Sequence, residues 1–192
     1  MKIGVLALQG DFSEHIVMLK RLKVETVEVR LPEHLKSLDG LIIPGGESTT
    51  IGKLAVAYNL MEPLKRFGQR HAIWGTCAGA IFISKDIGRD QPLLGLMDIK
   101  VQRNAFGRQI DSFETDLDIP ELKQATGTKQ GYHAVFISAP IIESVDGDAK
   151  ILASVADGRI VAAQQGHLLA TSFHPELTRD TRFHEYFLSL VD

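Results

Sequence analysis

The apolar positions change their rhythm about half-way along the chain. In the first half, continuous apolar runs alternate with stretches of helical spacing. Ile3 to Leu8, Thr26 to Val29, Asp39 to Pro44 and His71 to Trp74 are the runs. A strand that is apolar throughout is buried on both faces, the environment of a parallel sheet with helices above and below it. Between the first two runs, Phe12, Ile16, Leu19 and Leu22 recur every three or four residues, which predicts a helix over Phe12 to Leu22. After the third run, Gly45 and Gly46 punctuate the chain, and Ser48 or Thr49 stands where it can cap a helix through Ile51, Leu54 and Ala55. The fourth run passes through Gly75-Thr76-Cys77-Ala78-Gly79 directly into a helix bearing Ile81 and Ile83.

The second half is strand-rich and has few long helical stretches between strands. Leu96 to Arg103, Asp111 to Leu117, Ala134 to Ser138, Ile151 to Val155, Ile160 to Gln164 and Leu168 to Phe173 read as strands. Gly158-Arg159 and Gly166-His167 read as hairpin turns. Leu122 to His133 has no periodicity and is expected to be an irregular insertion. A last helix, Arg182 to Leu190, places Phe183, Phe187 and Leu190 on one face. The expected architecture is α/β: an open, mostly parallel sheet with helices on both faces, three layers in all, plus an added antiparallel section.

Composition narrows the function classes. With 192 residues, 44% hydrophobic and 23% charged, the chain is expected to form one domain and to bury about 70% of its unfolded surface without a staple. Its single cysteine, Cys77, rules out an internal disulfide and a Cys-x-x-Cys zinc site. A net charge of -3 with no basic tail argues against nucleic acid; Lys20, Arg21 and Lys23 read as a solvated helix face. No apolar run reaches the 18 or so residues of a membrane span. The first ten residues lack the three-part pattern of a signal peptide. A cytoplasmic protein is therefore expected.

Three segments carry chemistry. Gly75-Thr76-Cys77-Ala78-Gly79 has the form of a nucleophile elbow with cysteine in place of serine. Small neighbours let main chain and substrate approach a residue held at a sharp strand-to-helix turn, and a cysteine at a helix N-terminus is favoured as thiolate. The N–H of Ala78 would face a developing oxyanion. A buried structural cysteine between two packing glycines is the alternative reading of this pentapeptide. His174-Pro175-Glu176, just past the last predicted strand, offers a base and a carboxylate to orient it. His15, His34, His71, His133, His167 and His184 are expected to have surface or packing roles. Pro44-Gly45-Gly46-Glu47-Ser48-Thr49-Thr50 does not fit a phosphate-binding loop, because Gly46 and Gly52-Lys53 are one residue too far apart and Leu54 replaces the hydroxyl. It reads either as a plain turn or as a second wall of an oxyanion hole, and its company favours the latter.

Together these segments resemble class I (triad) glutamine amidotransferases, whose fold is flavodoxin-like. Leu8-Gln9-Gly10-Asp11, the Gly-Gly-Glu-Ser-Thr-Thr segment, Arg103-Asn104-Ala105-Phe106-Gly107-Arg108-Gln109, Asp111-Ser112-Phe113-Glu114 and Ser172 to Leu177 resemble, more narrowly, the glutaminase subunits of two-component pyridoxal 5'-phosphate synthases. The resemblance implies a single amidotransferase domain over 1–192. It also implies hydrolysis of L-glutamine to glutamate and ammonia, with ammonia passed through a tunnel to a barrel-shaped, oligomeric synthase subunit that builds pyridoxal 5'-phosphate from a pentose and a triose phosphate. Cys77 would be nucleophile, His174 base and then acid, and Glu176 its orienting partner. Gly46 and Ala78 would form the oxyanion hole. Gly46, Glu47, Ser48, Arg103, Ile137 and Ser138 would contact substrate, and no metal or organic cofactor is required. Such subunits tend to be weak until the synthase docks, here expected around the mouth of the site near Gln9.

One departure stands out. The family usually reads Phe-Ile-Arg-Ala-Pro where this chain has Phe136-Ile137-Ser138-Ala139-Pro140, and serine cannot replace a charged donor fork. Two rivals remain in the sequence: the glutaminase of another biosynthetic pair, against which the Arg-Asn-x-Phe-Gly-Arg segment speaks, and a partner-binding module that has lost turnover. A cysteine peptidase would not be expected to carry both the glycine strand and the His-Pro-Glu end.

Overall fold

The computed structural model describes residues 1–103 and 112–191. Its elements run β1 (Lys2–Leu6), α1 (Phe12–Arg21), β2 (Glu25–Val29), β3 (Gly40–Ile43), α2 (Ser48–Ala57), α3 (Met61–Gly68), β4 (Ala72–Thr76), α4 (Ala78–Ile83), β5 (Ser84–Asp86) and β6 (Met97–Gln102). Then follow β7 (Ser112–Leu117), α5 (Pro120–Thr126), β8 (Tyr132–Ile137), β9 (Ile141–Val145), β10 (Lys150–Ser154), β11 (Ile160–Gln165), β12 (Leu168–Thr171) and α6 (Arg182–Ser189).

The apolar runs make the parallel part of the sheet, with β1, β3 and β4 in its core, while β2, which carries Glu28, is the edge strand and buries only Val29. β2, β1, β3, β4 and β12 lie side by side in that order, every neighbouring pair parallel. Consecutive residues of these strands face opposite ways and enter different cores. Leu41, Ile43, Ile73 and Ala170 pack with α2, α3 and α4 on one face. Ile42, Trp74 and Leu169 pack with α1 and α6 on the other. This is the expected three-layer arrangement. Beyond β12 the sheet continues through β11, β9, β6 and β5, with β10 also on β11; the pairings β12–β11, β11–β9, β9–β6 and β11–β10 are antiparallel. A separate antiparallel pair, β7 with β8, completes the added section.

The two hairpins occur where expected. Gly158 and Gly166 both have positive φ, at the β10–β11 and β11–β12 turns. Leu122 to His133 is not an irregular insertion: it holds most of α5 and the start of β8. Pro120 opens α5 and Gly127, left-handed at φ 70°, closes it. The helix has seven residues and buries only Leu122, which is too little to set up a periodic pattern. α3 was hidden by Pro63, tolerated in a first turn whose N–H groups have no intrahelical acceptor. β5 and β9 are short additional strands that the apolar pattern did not reveal. Asn104 to Gln109 and Asp111, which carry part of the motif argument, lie outside the described residues.

Candidate active site

The strand order decides where the chemistry sits. β4 and β12 are adjacent and parallel, with Gly75 opposite Ala170 and Thr76 opposite Thr171. The segments leaving their carboxyl ends therefore emerge side by side, in the crevice where open α/β sheets bind ligands. Cys77 leaves β4, its N–H donating to Thr171 O at 2.8 Å, and His174 follows β12. His174 is held from the far side as well, where its N–H donates to Val135 O of β8 at 2.8 Å. The added β7–β8 pair thus acts as a brace for the imidazole.

The elbow is real. Cys77 has φ 48° and ψ -106°, a conformation that costs a non-glycine residue about 1–3 kcal/mol and persists where the surroundings over-determine it. Gly79 is what lets α4 lie close against β3, since a Cβ there would stand 1.9 Å from Ile43 O. α4 is six residues long with Cys77 at its N-cap, and Ala78, its first residue, has an N–H without an intrahelical acceptor.

A cleft of about 450 Å³ opens over the elbow. Cys77, Ala78 and His174 line it, together with all six residues expected to contact substrate: Gly46, Glu47, Ser48, Arg103, Ile137 and Ser138. Glu176 does not line it. It lies buried behind His174, its Oε1 accepting a hydrogen bond from Nδ1 at 2.7 Å. Burial works against a charged imidazole at His174, but hydrogen bonds from it to Cys77 and Glu176, and the attraction of both, outweigh that and lift its pKa to about 10. Burial pushes Glu176 up from the usual carboxylate range, and His174 pulls it back.

The glycine strand is tied down by the Leu8-Gln9-Gly10-Asp11 segment. Gln9 Oε1 accepts from Glu47 N–H at 2.8 Å, and Asp11 N–H donates to Gly45 O at 3.1 Å. Glu47, rather than Ser48 or Thr49, is the N-cap of α2: its carboxylate accepts from Thr49 N–H at 3.1 Å and Thr50 N–H at 2.7 Å. Glutamate is an unusual cap, but its longer stem folds back far enough to reach both N–H groups. Partial burial alone would raise its pKa, yet these hydrogen bonds bring it down to about 2. Arg103 donates to Glu47 Oε1 at 3.1 Å and to Thr49 Oγ1 at 3.2 Å, which fixes a guanidinium at the rim of the cleft. Ser48 is buried, its hydroxyl accepting from Gln91 at 3.3 Å. Ser138 is exposed in the cleft wall with φ 42°.

Asp11 Oδ2 lies 3.6 Å from His174 Nδ1. Asp11, His174 and Glu176 are the one trio among the described residues whose donor atoms come within 4.8 Å of each other. Within this trio His174 Nδ1 is hydrogen-bonded to Glu176 Oε1. His34, His71, His133 and His167 have the surface or packing roles expected of them. His15 and His184 are buried, as packing residues are, but His15 also reaches Glu176 and His184 meets His15, which the sequence reading missed. The signal was available: each is a polar residue inside the apolar face of its helix.

A family model described as the SNO glutamine amidotransferase family matches residues 5–192. The chain belongs to that family. Within it, the pyridoxal 5'-phosphate synthase subunit PdxT of Herpetosiphon aurantiacus is 58% identical over 99% of this chain and 100% of its own length. The protein of the same name from Moorella thermoacetica is 54% identical over all of both chains. A crystal structure titled glutamine amidotransferase superposes with TM-score 0.91 at 49% identity, covering 98% of each chain. PurLQS from Thermotoga maritima, at 18% identity and TM-score 0.67, shares the fold; the match covers all of this chain and 98% of that one. No described helix of this SNO family member is long and apolar enough to cross a membrane.

Proposed function

We propose that the chain is the glutaminase subunit of a two-component pyridoxal 5'-phosphate synthase, serving vitamin B6 biosynthesis. Residues 1–192 work as one amidotransferase domain in the cytoplasm. Its substrate is L-glutamine, and its ammonia passes through a tunnel to a barrel-shaped, oligomeric synthase subunit that docks over the mouth of the cleft. The observation that carries this reading is the line Cys77, His174, Glu176 across the ends of β4 and β12, in a chain whose full-length relatives at 54–58% identity bear the synthase-subunit name.

Arg103, the guanidinium at the cleft rim, receives the glutamine α-carboxylate, with Glu47, Ser48, Ile137 and Ser138 around the rest of the substrate. The Cys77 thiolate attacks the side-chain amide carbon and the carbonyl π electrons move to oxygen. N–H groups of Gly46 and Ala78 receive that oxyanion. His174, with Nδ1 engaged by Glu176, uses Nε2 to give its proton to the departing nitrogen, so ammonia leaves and a thioester remains. Nε2 then takes a proton from water, hydroxide adds to the thioester, and the thiolate leaves as glutamate forms. Glu176 stays ionised and holds the imidazole in the required tautomer. No step needs a metal or an organic cofactor.

The test is ammonia release from L-glutamine by the protein alone and mixed with a pyridoxal 5'-phosphate synthase subunit, with Cys77→Ala as blank. Partner-stimulated release that vanishes in Cys77→Ala is expected. Release stimulated instead by another amidotransferase's synthase would move the chain to a different pathway, and silence in both mixtures from folded protein would leave a binding module.

A further inference from the structure

Behind the triad lies a chain of buried polar groups that the reaction as written does not use. Glu176 has two carboxylate oxygens. Oε1 serves His174, while Oε2 has no well-aligned hydrogen bond among the described residues and is inaccessible to solvent. Nε2 of His15 lies 3.3 Å from it, and both side chains are fully buried. His15 Nε2 also lies 3.2 Å from the hydroxyl of Thr76, the residue before Cys77. On the other side of the ring, Nδ1 is 3.0 Å from Nε2 of His184, whose own Nδ1 meets no partner. Trp74 stands edge-on to both imidazoles, with ring centroids 5.6 and 4.9 Å away, and closes the compartment.

The proton positions follow from the ends of this chain. A carboxylate only accepts, so the His15 nitrogen facing it must be the donor. His15 Nδ1 is then an acceptor, and His184 must donate to it from Nε2. That leaves His184 Nδ1 as a bare lone pair, less costly to bury unpaired than the N–H the opposite tautomer would leave there. Both rings are neutral: burial holds His15 well below its ordinary value and His184 down to about 3.

We propose that His15, aligned by His184, is a positioning residue whose Nε2–H holds Glu176 Oε2, keeping that carboxylate ionised and turned toward His174. The inference rests on the triad reading above. Without this donor, the burial that already pushes Glu176 upward would be opposed only by His174 and by the backbone hydrogen bond of Glu176 itself. The titratable groups facing the carboxylate are His174, His15 and, behind it, His184, with Tyr132 close enough to feel its charge; Asp11, half-buried beyond the imidazole, adds a negative charge that also favours protonated Glu176.

The two nitrogens of His15 can be tested separately, because glutamine places an amide nitrogen near Nε2 and asparagine places one near Nδ1. Glutaminase kinetics of His15→Gln, His15→Asn and His15→Leu would be followed from pH 5 to 9, mixed with a synthase subunit, beside wild type and Cys77→Ala. In His15→Leu and His15→Asn, kcat is expected to fall about 10–100-fold with KM nearly unchanged. The acidic limb of kcat/KM should move up by about one pH unit, the size of one lost hydrogen bond to a charged group. His15→Gln should recover to within about three-fold of wild type with a normal acidic limb. Loss of activity in Cys77→Ala together with a wild-type acidic limb in His15→Leu would overturn this inference and leave the triad standing. Equal defects in the Gln and Asn variants would overturn it too, since they would mark a purely structural residue. Activity surviving in Cys77→Ala would overturn the triad reading and this inference with it.

Discussion

Replacing Gly45 with alanine isolates the placement of His174. Gly45 does not have a positive φ, so an alanine there meets no left-handed backbone penalty. Its new Cβ would lie 2.6 Å from Cε1 of His174, 3.1 Å from Nδ1 and 3.3 Å from Asp11 Oδ2. Carbon atoms in good contact sit at about 3.5–4.0 Å, so the imidazole has to retreat by about 1 Å. It is hemmed in while doing so, by the Val135 carbonyl on its backbone N–H and by the 2.7 Å bond to Glu176. A misplacement of about 1 Å costs on the order of 10²-fold in rate, or about 2.7 kcal/mol of transition-state stabilisation. Stability should change less: overpacking costs roughly 1–3 kcal/mol, and the stiffer unfolded chain returns about 0.4–1 kcal/mol. Ammonia release mixed with a synthase subunit is therefore expected to show kcat/KM about 100-fold below wild type, while urea unfolding shows a folded protein no more than about 2–3 kcal/mol weaker. Gly45→Ala activity within three-fold of wild type, at unchanged stability, would refute the claim that this contact sets the imidazole.

Two further outcomes follow from charge. Removing the α2 cap in Glu47→Ala should cost about 0.5–2 kcal/mol at pH 7, or roughly 2–6 °C in Tm; because the folded-state pKa of Glu47 is lowered to about 2, the cap contributes above about pH 4.5 and is lost as pH falls toward 2, so melting curves of variant and wild type should converge in acid. His174 is raised to about 10, so its own contribution to stability is complete below about pH 6.5 and is lost as pH rises through 10; in Cys77→Ala, where no thiol titrates in the same window, urea midpoints should fall as pH rises above 6.5, and flat midpoints would contradict a His174 held charged by Glu176.

The sequence by itself determined what local chemistry can determine. Continuous apolar runs such as Ile3 to Leu8 and Asp39 to Pro44 require burial on both faces, and Gly75 to Gly79 requires a turn in which only small neighbours fit; both follow from the residues alone. The members of the proposed triad were legible because cysteine, histidine and glutamate sit in short motifs of recognisable form. Tertiary structure decided the rest, because it concerns residues that meet from distant parts of the chain. Only the β4–β12 pairing brings Cys77 beside His174, 97 residues away, and only the β7–β8 pair, with α5 in its connection, explains what braces His174 from behind. The capping role of Glu47 depends on how far a side chain can fold back, and the contact of His15 with Glu176 depends on α1 and the turn after β12 closing on the same face of the sheet. Spacing along a helix marks His15 as buried; the packing of the sheet decides that what it is buried against is Glu176, the proposed orienting carboxylate.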